Sequence, residues 1–356
     1  MDEFLLEPFR CQHYKQRRGD GHRHLLLRGF PHSVMDGIPA FDLAIESRGL
    51  TKRFGAQAAV NGIDLRVPQG SVFGFLGPNG SGKTTTIRML LALTQPSAGE
   101  IRVLGHSMPS KLQSVLPRVG ALVEGPAFYP FLSGAANLIR LDSADRNAPS
   151  NTRRSRVRSA LERVGLSHAA NKKVRAYSLG MKQRLGIANA LMVPRDLLIL
   201  DEPTNGLDPQ GTREVRNLVH SLSGEGTTVF VSSHLLAEVE QMCTHAAVMS
   251  AGNIVAQGTL SALRQVGNSR VRVSTPDPSV AALVLTHLGL KPVLAPTDDS
   301  ADPVLTAPLV VADWQPEAIV MALVAGGVRV RGFVIEVPSL EERFVALTGE
   351  GFDVVQ

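Results

Sequence analysis

Between Ser71 and Leu91 an apolar run, Ser-Val-Phe-Gly-Phe-Leu, passes into Gly77-Pro-Asn-Gly-Ser-Gly-Lys-Thr84 and then into Thr-Thr-Ile-Arg-Met-Leu-Leu. That order predicts a buried strand, a glycine-rich loop and a helix over Thr84 to Leu93. Gly77, Gly80 and Gly82 allow the backbone to curl so that several N–H groups face one anion. The following helix adds unpaired N–H groups and the positive end of its dipole. The expected phosphate-binding run is therefore Gly77, Pro78, Asn79, Gly80, Ser81, Gly82, Lys83, Thr84 and Thr85. Lys83 would reach the β- and γ-phosphates of a nucleotide, and the Thr84 hydroxyl would hold Mg²⁺.

A second chemical feature lies far downstream. Leu197-Leu-Ile-Leu-Asp201-Glu202-Pro203 is a fully apolar strand that ends in two carboxylates. Such a strand belongs inside a parallel sheet, with ligand chemistry at its carboxyl end. Asp201 is expected to steady the Mg²⁺, and Glu202 to orient an attacking water. Thr228-Val-Phe-Val-Ser-Ser233 predicts the next buried strand, with His234 at the same sheet edge.

The rest of the chain supplies the setting. A length of 356 residues suits about two domains. No apolar run approaches the roughly 20 residues of a membrane helix, and the first residues lack a signal-like apolar stretch, so a cytosolic protein is expected. The net charge of +5 is concentrated between Arg10 and Arg28, where six basic residues face Asp20 alone. The remainder is near neutral, which argues against a nucleic-acid-binding face. Residues 1–42 lack periodicity and are expected to be a disordered extension; alternatively the natural start is Met35, with residues 1–34 preceding it. Two strands are expected between Phe41 and Val67, the second over Ile63–Val67. Phe54, between them, could pack in the core or stack on an adenine ring. Residues 125–182 are expected to be helical, with one apolar stripe at Val157, Ala160, Leu161 and Val164 and a following one at Met181, Leu185, Ala188 and Met192. Pro209 opens a further helix, and a hairpin turns at Ala251-Gly252. After about residue 266, strands at 271–273, 292–294, 308–311 and 328–334 alternate with helices near 279–289 and 315–326, as in a small α+β domain.

With these segments placed, the chain from about Ile45 to Leu263 resembles the nucleotide-binding subunit of ABC transporters. Gly77–Thr84 resembles the Walker A loop and Leu197–Glu202 resembles Walker B with its catalytic glutamate. Tyr177-Ser-Leu-Gly-Met-Lys-Gln-Arg184 is similar to the family signature, Gly206-Leu-Asp208 to the D-loop and His234 to the switch histidine. Phe54 falls where the family keeps an adenine-stacking aromatic. The signature departs from Leu-Ser-Gly-Gly-Gln at Leu179 and Met181 but keeps Ser178 and Gly180. Glu124 replaces the usual Q-loop glutamine, where a carboxylate is favourable only beside Mg²⁺. These features, with Glu-Gly-Pro-Ala-Phe-Tyr-Pro130, resemble the bacterial subgroup for bacitracin and lantibiotic self-protection and drug export. Pro338-Ser-Leu-Glu-Glu-Arg-Phe is similar to that subgroup's C-terminal segment.

The resemblance implies a P-loop NTPase (RecA-like) α/β fold: a parallel sheet, an antiparallel β subdomain and a helical subdomain at about 125–182. These make up an ATP-binding domain over 43–265, followed by an α+β accessory domain over 266–356. It implies ATP and Mg²⁺ as ligands, with Thr84, Asp201 and Glu124 on the metal and Glu202, His234 and Lys83 as catalytic groups. Ser178, Gly180 and Asp208 would serve the nucleotide of a second, head-to-tail subunit, in an expected homodimer. The partner would be a separately encoded membrane permease, docked at the aromatic groove of Phe128, Tyr129 and Phe131. The protein would then lie on the cytoplasmic face of the membrane, with no nucleic-acid partner. The alternative from another class is a soluble ABC-type ATPase acting on ribosomes or DNA.

Overall fold

The computed structural model describes residues 42–123, 127–145, 148–265, 269–295, 302–309 and 315–336. The expectations for residues 1–41, Glu124 and Pro338–Phe344 lie outside these residues. The chain begins with β1 (Leu43–Phe54), β2 (Gln57–Ile63) and β3 (Arg66–Pro68), then β4 (Val72–Leu76) and α1 (Lys83–Leu90). It continues through β5 (Ala98–Val103), β6 (His106–Met108), α2 (Leu112–Val115) and β7 (Val119–Leu122). Helices α3 (Gly134–Ala144), α4 (Arg153–Arg163) and α5 (Leu179–Ala190) precede β8 (Leu197–Asp201) and α6 (Pro209–Gly224). Then come β9 (Thr228–Ser233), α7 (Leu236–Met242), β10 (His245–Ser250), β11 (Asn253–Thr259) and α8 (Leu260–Gln265). The last described segments are β12 (Arg270–Ser274), α9 (Pro278–His287), β13 (Val293–Leu294), β14 (Val304–Pro308), α10 (Pro316–Ala325) and β15 (Gly332–Glu336).

The central sheet runs β11-β10-β4-β9-β8-β7, parallel except for the hairpin strand β11. Its strands are apolar throughout because both faces are covered: β4, β8 and β9 are buried at every residue. Phe73 and Phe230 stack at 5.8 Å across neighbouring strands. One face packs on a core with the antiparallel sheet β2-β1-β5-β6, to which β3 adds. The other packs against α4, α5 and α6, where Val157, Ala160 and Leu161 are buried as the stripe required.

The segment before β4 differs from expectation, with three strands in place of two. Ser47 is the cause. Its hydroxyl donates to the Ile63 carbonyl at 2.9 Å and accepts from the Leu65 N–H at 3.0 Å, replacing the regular ladder at Asp64. Helix α1 ends at Leu90, short of Leu93, because Ala92 turns left-handed at φ 55°. Helix α5 likewise stops at Ala190, leaving Met192 buried but outside it.

Residues beyond 269 form an antiparallel sheet, β13-β14-β12-β15, with α9 and α10 and a core of their own built on Val271, Val273, Leu285 and Leu323. Two strands are displaced from where the sequence pattern puts them. β14 occupies 304–308, ahead of the expected 308–311, and β15 starts at Gly332 instead of Val328. In the second case Arg329 is withdrawn from pairing, since its N–H and guanidinium both bond to Asp277.

Candidate functional site

Strand β4 delivers the glycine loop to the carboxyl edge of the sheet. A Cβ at Gly77 would lie 2.4 Å from the Met249 carbonyl oxygen and 2.6 Å from Ser81 Oγ, so only glycine fits the turn. Gly82 is left-handed at φ 107°, and a side chain there would meet the Ala59 carbonyl at 2.4 Å. Helix α1 starts directly from it with no side-chain cap, leaving its first amides for a ligand. The Ser81 hydroxyl is buried with no hydrogen-bond partner among the described residues. A buried hydroxyl without a partner is costly, and a phosphate oxygen is the acceptor this loop is shaped to receive. The donors therefore fit a nucleotide triphosphate.

Lys83 is buried, with Nζ 2.6 Å from the Gly77 carbonyl oxygen, 3.2 Å from that of Pro78 and 3.5 Å from Glu202 Oε1. Burial lowers the pKa of its ammonium, while the charges of Glu202 and Asp201 pull in the opposite direction. The order β4-β9-β8 brings the loop and the acids to one edge. Thr84 Oγ1 donates to Asp201 Oδ2 at 3.0 Å, and Ser232 Oγ donates to Asp201 Oδ1 at 2.5 Å. A hydroxyl and one carboxylate suit Mg²⁺, which is commonly held by one or two carboxylates together with substrate phosphates. Among the described residues no group of three or more His, Cys, Asp or Glu forms a protein-only metal cage.

Glu202 itself is left-handed at φ 48°, a strained conformation for a side chain of this kind. Its N–H donates to Ser232 Oγ at 3.0 Å, and its Oε2 lies 2.8 Å from His234 Nδ1. Lys83, Thr84, Asp201, Glu202 and His234 thus converge. The sequence pattern does not reveal three supports around them. Ser232 joins the two acids, Gln183 Nε2 donates to the Glu202 carbonyl at 3.2 Å, and Glu238 accepts from Thr204 and Ser233 at 2.5 and 3.1 Å.

The remaining site candidates lie elsewhere. Ser178 caps α5, accepting the Met181 N–H, and Asp208 caps α6, accepting the Gly211 N–H. Among the described residues no hydrogen bond ties either to the glycine loop. A Cβ at Gly180 would lie 3.0 Å from Leu207. Phe54 is 56 % exposed at the end of β1, with Lys52 Nζ 5.1 Å from its ring. Phe128 is packed on the core, whereas Tyr129 and Phe131 are exposed beneath Arg140 and Arg175.

The sequence profile described as ABC transporter matches residues 60–205. The bacitracin transport ATP-binding protein BcrA of Bacillus licheniformis is 40% identical over 242 residues, spanning 68% of this chain and 78% of that protein. The chain belongs to the ABC transporter family. Within it, this ATP-binding subunit is 37% identical over 310 residues to the daunorubicin resistance ATP-binding protein DrrA3 of Streptomyces coeruleorubidus, covering 87% of this chain and 97% of that one. The ABC fold is also that of cbiO1 of Clostridium perfringens, part of the ABC transporter complex cbiONQ. That match has a TM-score of 0.56 and 28% identity, over 61% of this chain and 89% of the other. The protein is an ABC-type ATPase with the α/β architecture its motifs implied. Among the described residues no helix is long and apolar enough to cross a membrane.

Proposed function

We propose that this ABC ATPase hydrolyses MgATP to drive export of an antibiotic, peptide or drug through a membrane permease supplied by another chain. The observation that carries the reading is the convergence of Lys83, Thr84, Asp201, Glu202 and His234, each within 3.5 Å of another member. Two relatives named for bacitracin transport and daunorubicin resistance support the substrate class. In this reading residues 43–265 are the ATP-binding domain and 266–356 an accessory domain.

The loop amides, Ser81 and Lys83 bind the phosphates, and Phe54 stacks on the adenine. Bound Mg²⁺, held by Thr84 and Asp201, would supply neutralising charge at the β- and γ-phosphates. Glu124 is assigned to the same cation on sequence grounds alone. Glu202 accepts a hydrogen bond from the attacking water and holds it in line, while His234 fixes the Glu202 carboxylate. The γ-phosphoryl group passes to water, its bond to the ADP oxygen breaks, and ADP and inorganic phosphate leave. Positioning dominates such chemistry, so a nearby fixed carboxylate is enough.

Ser178, Gly180 and Asp208 serve the nucleotide of a second copy arranged head to tail. Their local partners leave the start of α5 facing outward, and Leu179 there is 59 % exposed. Tyr129 and Phe131 are exposed, which supports their use as an aromatic surface for a permease helix, and in this reading the pair works on the cytoplasmic face of the membrane. The deciding experiment is Glu202→Gln in the full chain. MgATP should still bind and a nucleotide-dependent dimer should accumulate in light scattering, while phosphate release falls by at least about 100-fold. Turnover within twofold of the parent would overturn the reading.

A further inference from the structure

The geometry points to Gln183 as a positioning residue that ties the signature helix to the backbone of Glu202; this inference rests on the catalytic role given to Glu202 above. Gln183 lies on the second turn of α5, five residues beyond Ser178, and is 7% exposed. An uncharged amide buried on a helix requires a partner, and it finds one 19 residues away. Nε2 donates to the Glu202 carbonyl at 3.2 Å. Because that acceptor is a carbonyl, the facing atom of the side-chain amide must be its NH₂ group.

The bond falls on a strained residue. Glu202 sits at φ 48°, and its backbone is restrained on both sides. The N–H is held by Ser232 Oγ at 3.0 Å, and the carbonyl takes two donors, Gln183 Nε2 and the Asn205 N–H, each at 3.2 Å. Such a conformation persists where its surroundings over-determine it. Of these restraints, only Gln183 comes from the helical layer.

Apolar packing runs in parallel with the hydrogen bond. Leu179 Cδ2 fills the space beside Gly206, 2.4 Å from where a Cβ would be, and Leu207 Cδ2 lies 3.0 Å from the corresponding point at Gly180. The first two turns of α5 and residues 202–207 are thus joined at three places, one polar and two apolar. A displacement of α5 is passed through Gln183 to the residue that carries the catalytic carboxylate. Hydrolysis at a site therefore senses the seating of the same chain's signature helix.

Gln183→Met keeps length and helix propensity but removes the donor. Gln183→His restores a donor, because imidazole Nε2 stands the same number of bonds from Cβ. With the full chain and MgATP, the methionine variant should lose about five- to tenfold in kcat, the worth of one hydrogen bond. KM for ATP should stay within twofold, and the histidine variant should recover at least half of the lost rate. In a Glu202→Gln background, Gln183→Met should leave ATP affinity and the trapped dimer unchanged. Parent-like kcat in Gln183→Met, an equal rise in KM, no recovery with histidine, or loss of the trapped dimer would each overturn the inference. If the methionine variant does not fold, the histidine variant decides: kcat within threefold of the parent supports the role, and a larger loss overturns it. Parent-like turnover in Glu202→Gln alone would instead remove the underlying assignment of Glu202.

Discussion

Ser232→Ala is the most informative single change at this site, because one hydroxyl serves both acids. Ser232 is fully buried on β9; its Oγ donates to Asp201 at 2.5 Å and accepts from the Glu202 N–H at 3.0 Å. Losing a hydrogen bond to a charged group costs about 1.5–3 kcal/mol, and leaving a buried N–H unpaired costs about 1–3 kcal/mol. The two losses share one atom and do not simply add, so about 3 kcal/mol is expected in total. For a domain of this size each kcal/mol moves the melting temperature by roughly 2–4 °C, giving a fall of about 6–12 °C. The same change frees one oxygen of Asp201, which the proposed function places on Mg²⁺, and loss of a group that orients a metal ligand typically weakens metal affinity by about 10–100-fold. Thermal melts and a Mg²⁺ titration of phosphate release read the two effects separately. Ser110→Ala, which removes an exposed hydroxyl bonded to the Ser107 carbonyl, serves as the control and should shift melting by no more than about 2 °C. If Ser232→Ala melts within 2 °C of the parent (roughly 1 kcal/mol or less) and keeps its Mg²⁺ midpoint, the bridging argument fails.

Other consequences are open to test. Asp142 is buried on α3 and holds two half-buried residues of α4, Arg153 at 2.9 Å and Arg156 at 2.6 Å; Asp142→Ala should cost about 1.5–3 kcal/mol, read by chemical denaturation, because it removes the hydrogen bonds these charged groups make. With Phe54 stacked on the adenine as proposed, Phe54→Ala should raise KM for ATP by about 5–100-fold at little cost in kcat, the loss of one base–aromatic stack. Hydrogen bonds from Arg329 hold the Asp277 carboxyl at about 2, below its ordinary 3.8. Its contribution to stability is therefore present above the unfolded value and is lost as pH falls through about 2. Hydrogen exchange of the α9 amides should show that loss in the parent between about pH 4 and about pH 2, the interval set by those two values, and not in Asp277→Asn.

The parts of the site legible in the sequence are those whose chemistry is local. The glycine loop, the acid pair closing β8 and His234 after β9 each stand out because a strand pattern and a polar residue adjoin within a few positions. Ser232, Gln183 and Glu238 carry no such signal. Their bonds to Asp201, Glu202 and Thr204 span 31, 19 and 34 residues, and nothing in the local pattern marks them. Gln183 in particular lies off the apolar stripe of Met181, Leu185, Ala188 and Met192, so periodicity gives no reason to expect it buried. The strand break at Asp64 is hidden for a related reason: alternation from Ile63 to Val67 is genuine, but a hydroxyl 16 residues earlier intercepts the ladder. In the last sheet, Val328-Arg-Val has strand composition, yet an ion pair with Asp277 outweighs that local preference. Local propensity decides the kinds of element there, and long-range polar contacts move their ends.

Across the middle of the central sheet, Phe75, Ser232 and Asp201 stand level on three adjoining strands. Backbone pairing therefore acts as a ruler between loop and acids. Deleting one residue within β9 would turn Ser232 toward the opposite side and shift the rest of the strand by about 3.3 Å. Among relatives, insertions and deletions should therefore be absent from these three strands.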